Sequence, residues 1–334
     1  MRHYNIPVFV PHKGCPHDCS FCNQKRITGR QTEQSLEEIR SEIETHLETF
    51  EKNSHIEIAF FGGSFTGIEE NKQIELLALA SEYIKSGKVN GIRLSTRPDY
   101  INVHILEYLK SFGVTAIELG VQTLDDHILK LNNRGHSSAD VENAVHLIKS
   151  YNQFELGLQQ MTGLWGATPE SDFSTAEKIV SLKPDTVRIY PTVVLEGTQL
   201  YELYKQGLYT PYSLETSVET GSRLYELYTS AGIRVIRMGL QATEVINERD
   251  EKIYGPYHSS YGELVKSRLI RNQLETMLTD KKGVVEITAN PRLISKIIGN
   301  KKGNLTYFKE NFDITLKVKA DTNENFMSVN VIEK

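Results

Sequence analysis

Cysteine is scarce in this 334-residue chain: there are three, and all fall within eight consecutive positions. That leaves no basis for a disulfide framework of the kind small secreted domains use. The chain begins Met1-Arg2-His3-Tyr4-Asn5, without the apolar segment of a secretory signal. A cytoplasmic setting with reduced thiols is therefore expected. No apolar run approaches the roughly 20 residues of a membrane span, so no membrane partner is expected. Low-complexity tracts and internal repeats are also missing. With 39% hydrophobic and 24% charged residues, the composition is that of an ordinary globular protein. Its length suffices to bury one large core and a small second one.

What is there begins with those cysteines. Cys15, Cys19 and Cys22 stand in the run Gly14-Cys15-Pro16-His17-Asp18-Cys19-Ser20-Phe21-Cys22, a C-x3-C-x2-C spacing. The flanking Gly, Pro, His, Asp and Ser describe a polar loop, not the core strand in which a cysteine acts as a small hydrophobe. Three thiolates can hold a metal centre but leave it one ligand short. A [4Fe–4S] cluster ordinarily takes four thiolates. The missing one leaves an iron open to a small molecule, and an open position is the mark of a metal centre that does chemistry. The rival is a structural zinc on the three cysteines plus His12 or His17; the spacing favours iron–sulfur.

The net charge of −5 is unevenly spread. Between positions 281 and 319 there are nine Lys/Arg and three acids (Glu286, Glu310, Asp313), so that segment carries +6 and the remainder −11. A basic end on an acidic body suggests a polyanion partner. The plain alternative is a solvated lysine-rich surface.

Short β-rich runs alternate with amphipathic helical stretches. The runs are 7–10, 56–61, 91–95, 116–121, 154–161, 186–190 and 234–238. Helical spacing appears over 35–50 (Leu36, Ile39, Ile43, Leu47), 102–110, 140–150 and 172–181. This alternation predicts parallel βα units in an α/β fold. Their number predicts a complete or partial TIM-type (β/α) barrel over residues 1–250. Gly62-Gly63-Ser64, Thr96-Arg97-Pro98-Asp99, Gln122 and Thr162-Gly163 follow strand ends, where barrel sites are built. A linker at 255–260 leads into residues 257–334, predicted as a small C-terminal α+β domain.

At this point a family resemblance is carried by specific text. It consists of the cysteine loop, Phe61-Gly62-Gly63-Ser64-Phe65, Ser95-Thr96-Arg97-Pro98-Asp99-Tyr100, Glu118-Leu119-Gly120-Val121-Gln122-Thr123, Asn133-Arg134-Gly135-His136 and Tyr190-Pro191-Thr192. The chain resembles the radical SAM superfamily, and within it the radical SAM module of the Elongator catalytic subunit, a tRNA-modifying enzyme. The resemblance runs over residues 5–245. It implies a [4Fe–4S] cluster on Cys15, Cys19 and Cys22 whose open iron takes the amino and carboxylate groups of S-adenosylmethionine. An electron from a donor such as flavodoxin or ferredoxin then cleaves the sulfonium to a 5′-deoxyadenosyl radical, which abstracts hydrogen from substrate.

Residue by residue, the resemblance implies that Phe21 packs beside the cluster and adenine, with Phe9 as a second aromatic near the cofactor. Gly62, Gly63 and Ser64 let backbone approach the methionine amine, Gln122 bonds the ribose, and Arg134 pairs with the methionine carboxylate. Gln159 falls where relatives place a ribose-binding acid. Ser95 stands where the family usually has a glutamate for the amine, which makes that contact weaker. Glu118 is expected to neutralise Arg93 or Arg97.

Further absences narrow the chemistry. Sulfur-inserting relatives need a second cluster, and no cysteine is left for one. Residues 257–334 carry no Gly-rich pyrophosphate loop of the acetyltransferase type, so the Elongator carboxymethylation chemistry is not expected from this chain alone. The run Ile297-Ile298-Gly299-Asn300-Lys301-Lys302-Gly303-Asn304 resembles the RNA-clamping turn of KH domains, with Lys301 and Lys302 as phosphate contacts, but three residues separate the glycines where a KH turn has two. A plain β-α-α-β capping domain is the alternative. Substrate readings are thus tRNA or another RNA, a small molecule as in the coproporphyrinogen dehydrogenase-like branch, or no substrate at all in a metal-stapled RNA-binding protein.

Overall fold

The computed structural model describes residues 2–10, 18–22, 34–240, 252–324 and 326–333. Cys15, His12 and His17 lie outside them. The chain runs β1 (His3–Val10), α1 (Leu36–Thr49), β2 (His55–Gly62), α2 (Glu70–Lys85), β3 (Gly91–Thr96), α3 (Val103–Ser111), β4 (Val114–Gln122), α4 (Asp126–Leu131), α5 (Ser138–Ser150), β5 (Glu155–Thr162), α6 (Pro169–Leu182) and β6 (Thr186–Pro191). It continues β7 (Val194–Leu195), α7 (Gln199–Lys205), α8 (Leu214–Ser230), β8 (Arg234–Met238), β9 (Ile253–Tyr254), α9 (Tyr261–Leu278), β10 (Gly283–Ala289), α10 (Ile294–Ile298), α11 (Gly303–Phe312), β11 (Ile314–Ala320) and β12 (Met327–Glu333).

Seven parallel strands pair in the order β1-β2-β3-β4-β5-β6-β8. Among the described residues the sheet does not close, so of the two expectations the partial barrel is the one realised. Alternate residues explain the layering. Ile6, Val8, Val10, Ile58, Phe60, Ile92, Leu94, Ile117, Leu119, Leu156, Leu158, Val187 and Ile189 pack on the helices in one large core. Their neighbours Glu57, Arg93, Glu118, Gln159 and Arg188 take the concave side. Helix starts are locally encoded. Ser35 with Glu38, Ser137 with Asp140 and Thr168 with Ser171 close reciprocal caps, and Pro169 sits where a missing N–H costs nothing.

The C-terminal part has its own core around Val285, Ile287, Ile297, Phe308 and Ile314. Its sheet runs β11-β10-β12, with β10 parallel to β11 and antiparallel to β12. Helix α9 joins the two cores. Tyr261 and Val265 pack on Val218 of α8, and Ile270, Leu274 and Leu278 enter the C-terminal core. Among the described residues, no helix is long and apolar enough to cross a membrane.

One buried acid shapes stability. Asp172 on α6 is 2% exposed and accepts from the Gly163 N–H at 2.9 Å and the Tyr212 hydroxyl at 3.0 Å. Burial outweighs these bonds and pushes its carboxyl up to about 7. A folded-state value above the unfolded one makes the stabilising contribution complete near pH 4, and it is lost as pH rises through 7. Asp172→Asn is thus expected to overtake wild type above pH 7, by on the order of a few kcal/mol. Urea midpoints for both proteins at pH 5 and pH 8 check this, and parallel pH profiles would refute it.

Candidate functional site

The C-terminal strand ends converge on the cysteine turn. Cys22 N–H bonds the Cys19 carbonyl at 3.0 Å, closing a tight turn around Ser20 and Phe21. That turn is anchored from two sides. Ser20 N–H bonds the Asn132 carbonyl at 3.1 Å, and its hydroxyl donates to Asn132 Oδ1 at 2.6 Å. Leu200 N–H bonds the Ser20 carbonyl at 2.7 Å. Asn132, fully buried, in turn donates to the Trp165 carbonyl at 2.9 Å. Phe21 packs against a small cluster of Val194, Leu200 and Tyr209.

Arg134 is the most telling residue. It is 6% exposed, and its Nη1 lies 3.2 Å from Cys19 Sγ while Nη2 donates to the Gly120 carbonyl at 2.6 Å. Its Nε is buried without a partner. Among the described residues no carboxylate pairs with it. A buried cation without an anion costs several kcal/mol, so the site as built calls for negative charge beside Cys19. Arg97 holds Arg134 in place by donating to its carbonyl at 2.6 Å. Arg97 itself is neutralised by Asp99 at 2.9 and 3.0 Å. His136 next door stays neutral: burial, then the Arg134 and Arg97 charges, lower it to about 4.

Gly62 and Gly63 lie where the end of β2 meets the end of β1. Gly62 has φ +109°, and a Cβ there would stand 3.0 Å from the Val10 carbonyl, so the position demands glycine. Gly63 N–H bonds that same carbonyl at 3.3 Å. Ser64 is buried, shares a 2.9 Å bond with the Thr96 hydroxyl and accepts from Arg97 N–H at 3.2 Å. Phe9 is half-buried and faces Phe61 across the β1–β2 ladder.

A cavity of about 140 Å³ opens beside the turn, lined by Phe21, Cys22, Gln122, Gln159, Met161, Tyr190, Pro191, Val193, Leu195 and Leu240. Gln122 sits at φ +69° with its Oε1 buried and unbonded. Gln159 Nε2 donates to Ser95 Oγ at 3.2 Å and to Glu118 at 3.1 Å. Phe21, Gln122 and Gln159 are therefore brought together on one cavity with Cys22, and Arg134 meets Cys19. Lys301 and Lys302 lie in the separate C-terminal core's turn, both in the left-handed region.

Below the cavity the concave side holds a ladder of charges. Arg93 bonds Glu57 at 2.9 Å, Glu118 at 3.2 Å and Glu155 at 2.7 Å. Arg188 bonds Glu118 at 2.5 and 2.8 Å. Arg234 reaches Glu155 at the rim. Glu118 thus neutralises Arg93, as expected, but not Arg97, whose side chain turns out toward Asp99. The sequence reading missed Arg188 as the second partner; it lies 70 positions from Glu118. It also missed Met161, Tyr190 and Leu195 as cavity walls, because apolar residues at strand ends carry no signal beyond core packing.

A parallel half-barrel that gathers, at its C-terminal strand ends, a cysteine turn, a buried guanidinium with no carboxylate partner among the described residues and orphaned polar groups defines a cofactor-dependent α/β enzyme. The chain belongs to the radical SAM superfamily: that family's model matches residues 9–179, and the Radical_SAM C-terminal domain matches 184–271. Membership brings S-adenosylmethionine and an iron–sulfur cluster with it. The tRNA uridine(34) acetyltransferase of Methanocaldococcus infernus is 30% identical over 256 residues, covering 64% of this chain and 47% of the relative. Human Elongator complex protein 3 is 35% identical over 143 residues, covering 42% of this chain and 26% of its own length. The structure of M. infernus Elp3 lacking its N-terminus superposes with a TM-score of 0.65 at 25% identity, over 81% of this chain and 63% of that one. The chain spans about half the length or less of the curated relatives it matches.

Proposed function

We propose that this radical SAM enzyme carries a [4Fe–4S] cluster on Cys15, Cys19 and Cys22, binds S-adenosylmethionine against it, and acts on tRNA or another RNA. Two of these cysteines lie at the mouth of the barrel, beside the cavity and the buried Arg134. The observation that carries the cluster assignment is that guanidinium, which needs an anion and finds, among the described residues, only a sulfur and a carbonyl. A thiolate-held cluster meets that need. When bound, the pair supplies reductive cleavage of the sulfonium to a 5′-deoxyadenosyl radical.

The protein's own groups hold the cofactor. Arg134, with donors still free, takes the methionine carboxylate. Gln122 offers its orphaned carbonyl to a ribose hydroxyl. Gln159, fixed by Glu118 and Ser95, faces the same space. Phe21 covers the adenine and Phe9 lies further along the wall. Gly62, Gly63 and Ser64 bring backbone close where a side chain would intrude. Ser95 is occupied by Gln159, so no acid is added for the amine there. The electron would come from a donor such as flavodoxin or ferredoxin, in the cytoplasm.

The RNA reading is supported by relatives named for tRNA uridine(34) and Elongator, and by the basic turn. We take residues 1–250 as the catalytic barrel and 257–334 as an RNA-facing unit. Gly299 (φ +78°) starts a turn that presents Lys301 and Lys302 exposed at the N-terminus of α11, whose positive dipole end favours phosphate.

The test is anaerobic incubation of the reconstituted, reduced enzyme with S-adenosylmethionine, with and without bulk tRNA. Formation of 5′-deoxyadenosine that rises with tRNA supports both halves. Formation indifferent to tRNA removes the RNA reading alone. Lys301→Ala with Lys302→Ala is expected to weaken tRNA binding several-fold and flatten its salt dependence by about two units of log–log slope. Unchanged affinity at moderate salt would end the role assigned to the turn.

A further inference from the structure

We propose that His3, His55 and Glu57 form a second metal site, for a zinc-type divalent ion, at the N-terminal mouth of the barrel. The site stands at the far end of β1 from the cysteine loop, eight strand residues away, or roughly 25 Å. It is independent of the cofactor chemistry.

The placement follows from register. The β1–β2 ladder sets His3 beside His55, and Glu57, two residues on, projects to the same side of the sheet as His55. One donor atom from each of the three residues lies within 4.8 Å of the others. His3 Nε2 is 2.9 Å from Glu57 Oε2, and His55 Nε2 is 3.9 Å from Oε1. Ligands held tetrahedrally at zinc's bond lengths of about 2.0–2.2 Å are about 3.3–3.6 Å apart. The two His–Glu spacings, one to each carboxylate oxygen, lie on either side of that value. The imidazole planes cross at 78° instead of stacking.

The surroundings are those of a supported ligand. Glu57 is buried, and its two oxygens are fixed from behind by Thr115 Oγ1 at 2.6 Å and Arg93 Nε at 2.9 Å. Such outer bonds orient metal-binding carboxylates. Arg93 divides its charge among Glu57, Glu118 and Glu155, so it cancels the Glu57 carboxylate only in part. Both imidazoles are about 40% exposed, leaving an entry path and a fourth position for water. Two nitrogens and one oxygen suit zinc, cobalt or nickel over magnesium or calcium.

The ion would act as a clasp. Among the described residues β1 is an edge strand, bonded on one side only, in a sheet that does not close. Its other end runs directly into the cysteine loop. Fastening His3 to β2 fixes the strand that delivers the cluster ligands.

Cluster-loaded protein, with its cysteines already occupied, is dialysed anaerobically against Zn²⁺, and zinc and iron are measured together. The expected result is one zinc per chain with iron unchanged, and a thermal midpoint that rises with Zn²⁺. The His3→Ala/His55→Ala double variant should bind none and show no zinc-dependent rise. No zinc on wild type, equal zinc on the variant, or zinc gained only as iron is lost would each overturn the proposal. Should the double variant fail to fold, His3→Ala alone, at the exposed start of the edge strand, gives the same readouts.

Discussion

Replacing Cys19 by alanine is expected to abolish cluster assembly and reduce 5′-deoxyadenosine formation to background, while the barrel remains folded. Two thiolates cannot hold a cluster that already lacks its fourth. The same loss of activity is expected for Cys15→Ala and Cys22→Ala. Cys19 has a further role that the others do not share in the described structure: it is the sulfur that Arg134 touches, at 3.2 Å. Removing it strips a buried guanidinium of its side-chain partner. The Cys19 variant should therefore also lose stability, by about 1–3 kcal/mol, the cost of leaving a buried donor unmade. Cys22, half-buried at the cavity edge, should lose less. Iron content, product chromatography and denaturant midpoints of the apoproteins separate the two effects. Cleavage retained in the Cys19 variant would remove the cluster assignment. Equal midpoints for the two variants would remove the special role of Arg134.

Arg134→Gln is the second change with a large expected effect. Glutamine keeps a donor but loses the charge and the reach. Hydrogen bonds to cluster sulfurs and nearby charge set reduction potentials. If Cys19 ligates the cluster as proposed, a cation 3.2 Å from its sulfur stabilises the reduced, more negative state, so its loss should move the midpoint potential lower. On the proposed reading, the same substitution also removes a charge-assisted bond to the methionine carboxylate. At about 1.5–3 kcal/mol, that is about a 10- to 150-fold weaker affinity for S-adenosylmethionine. Potentiometric titration reads the first effect and equilibrium binding the second. An unchanged potential with weaker binding would leave Arg134 as a cofactor ligand only. An unchanged affinity would withdraw that role.

Much of the architecture was legible because parallel strands buried on both faces read as apolar runs. The strand read at 234–238 is realised as Arg234–Met238, and the one at 186–190 extends by one residue to Pro191. One long helix carried no comparable signal. Helix α8 buries Ser217, Thr220, Gly221 and Ser222 along with Val218, Leu224 and Tyr228. A face built of small and polar side chains looks like surface when hydrophobic periodicity is the guide. The site was legible as residue types and not as pairs. Arg134 stood out in its motif, but its contact lies 115 positions away. The possible partners of Glu118 were narrowed to Arg93 and Arg97, whereas a curved sheet also brought Arg188 across from β6.

The charge ladder on the concave side has a consequence for how this lineage can change. Arg93 serves three carboxylates and Glu118 serves two guanidiniums, all but the outermost sheltered from water. Neutralising any one inner member strands its partners, a penalty of about 3–5 kcal/mol against a fold whose whole margin is about 5–15. Single steps are therefore closed to selection, and only paired replacements leave a viable descendant. The floor of this barrel should drift far more slowly than the walls above it, and where it has changed, its residues should have changed together.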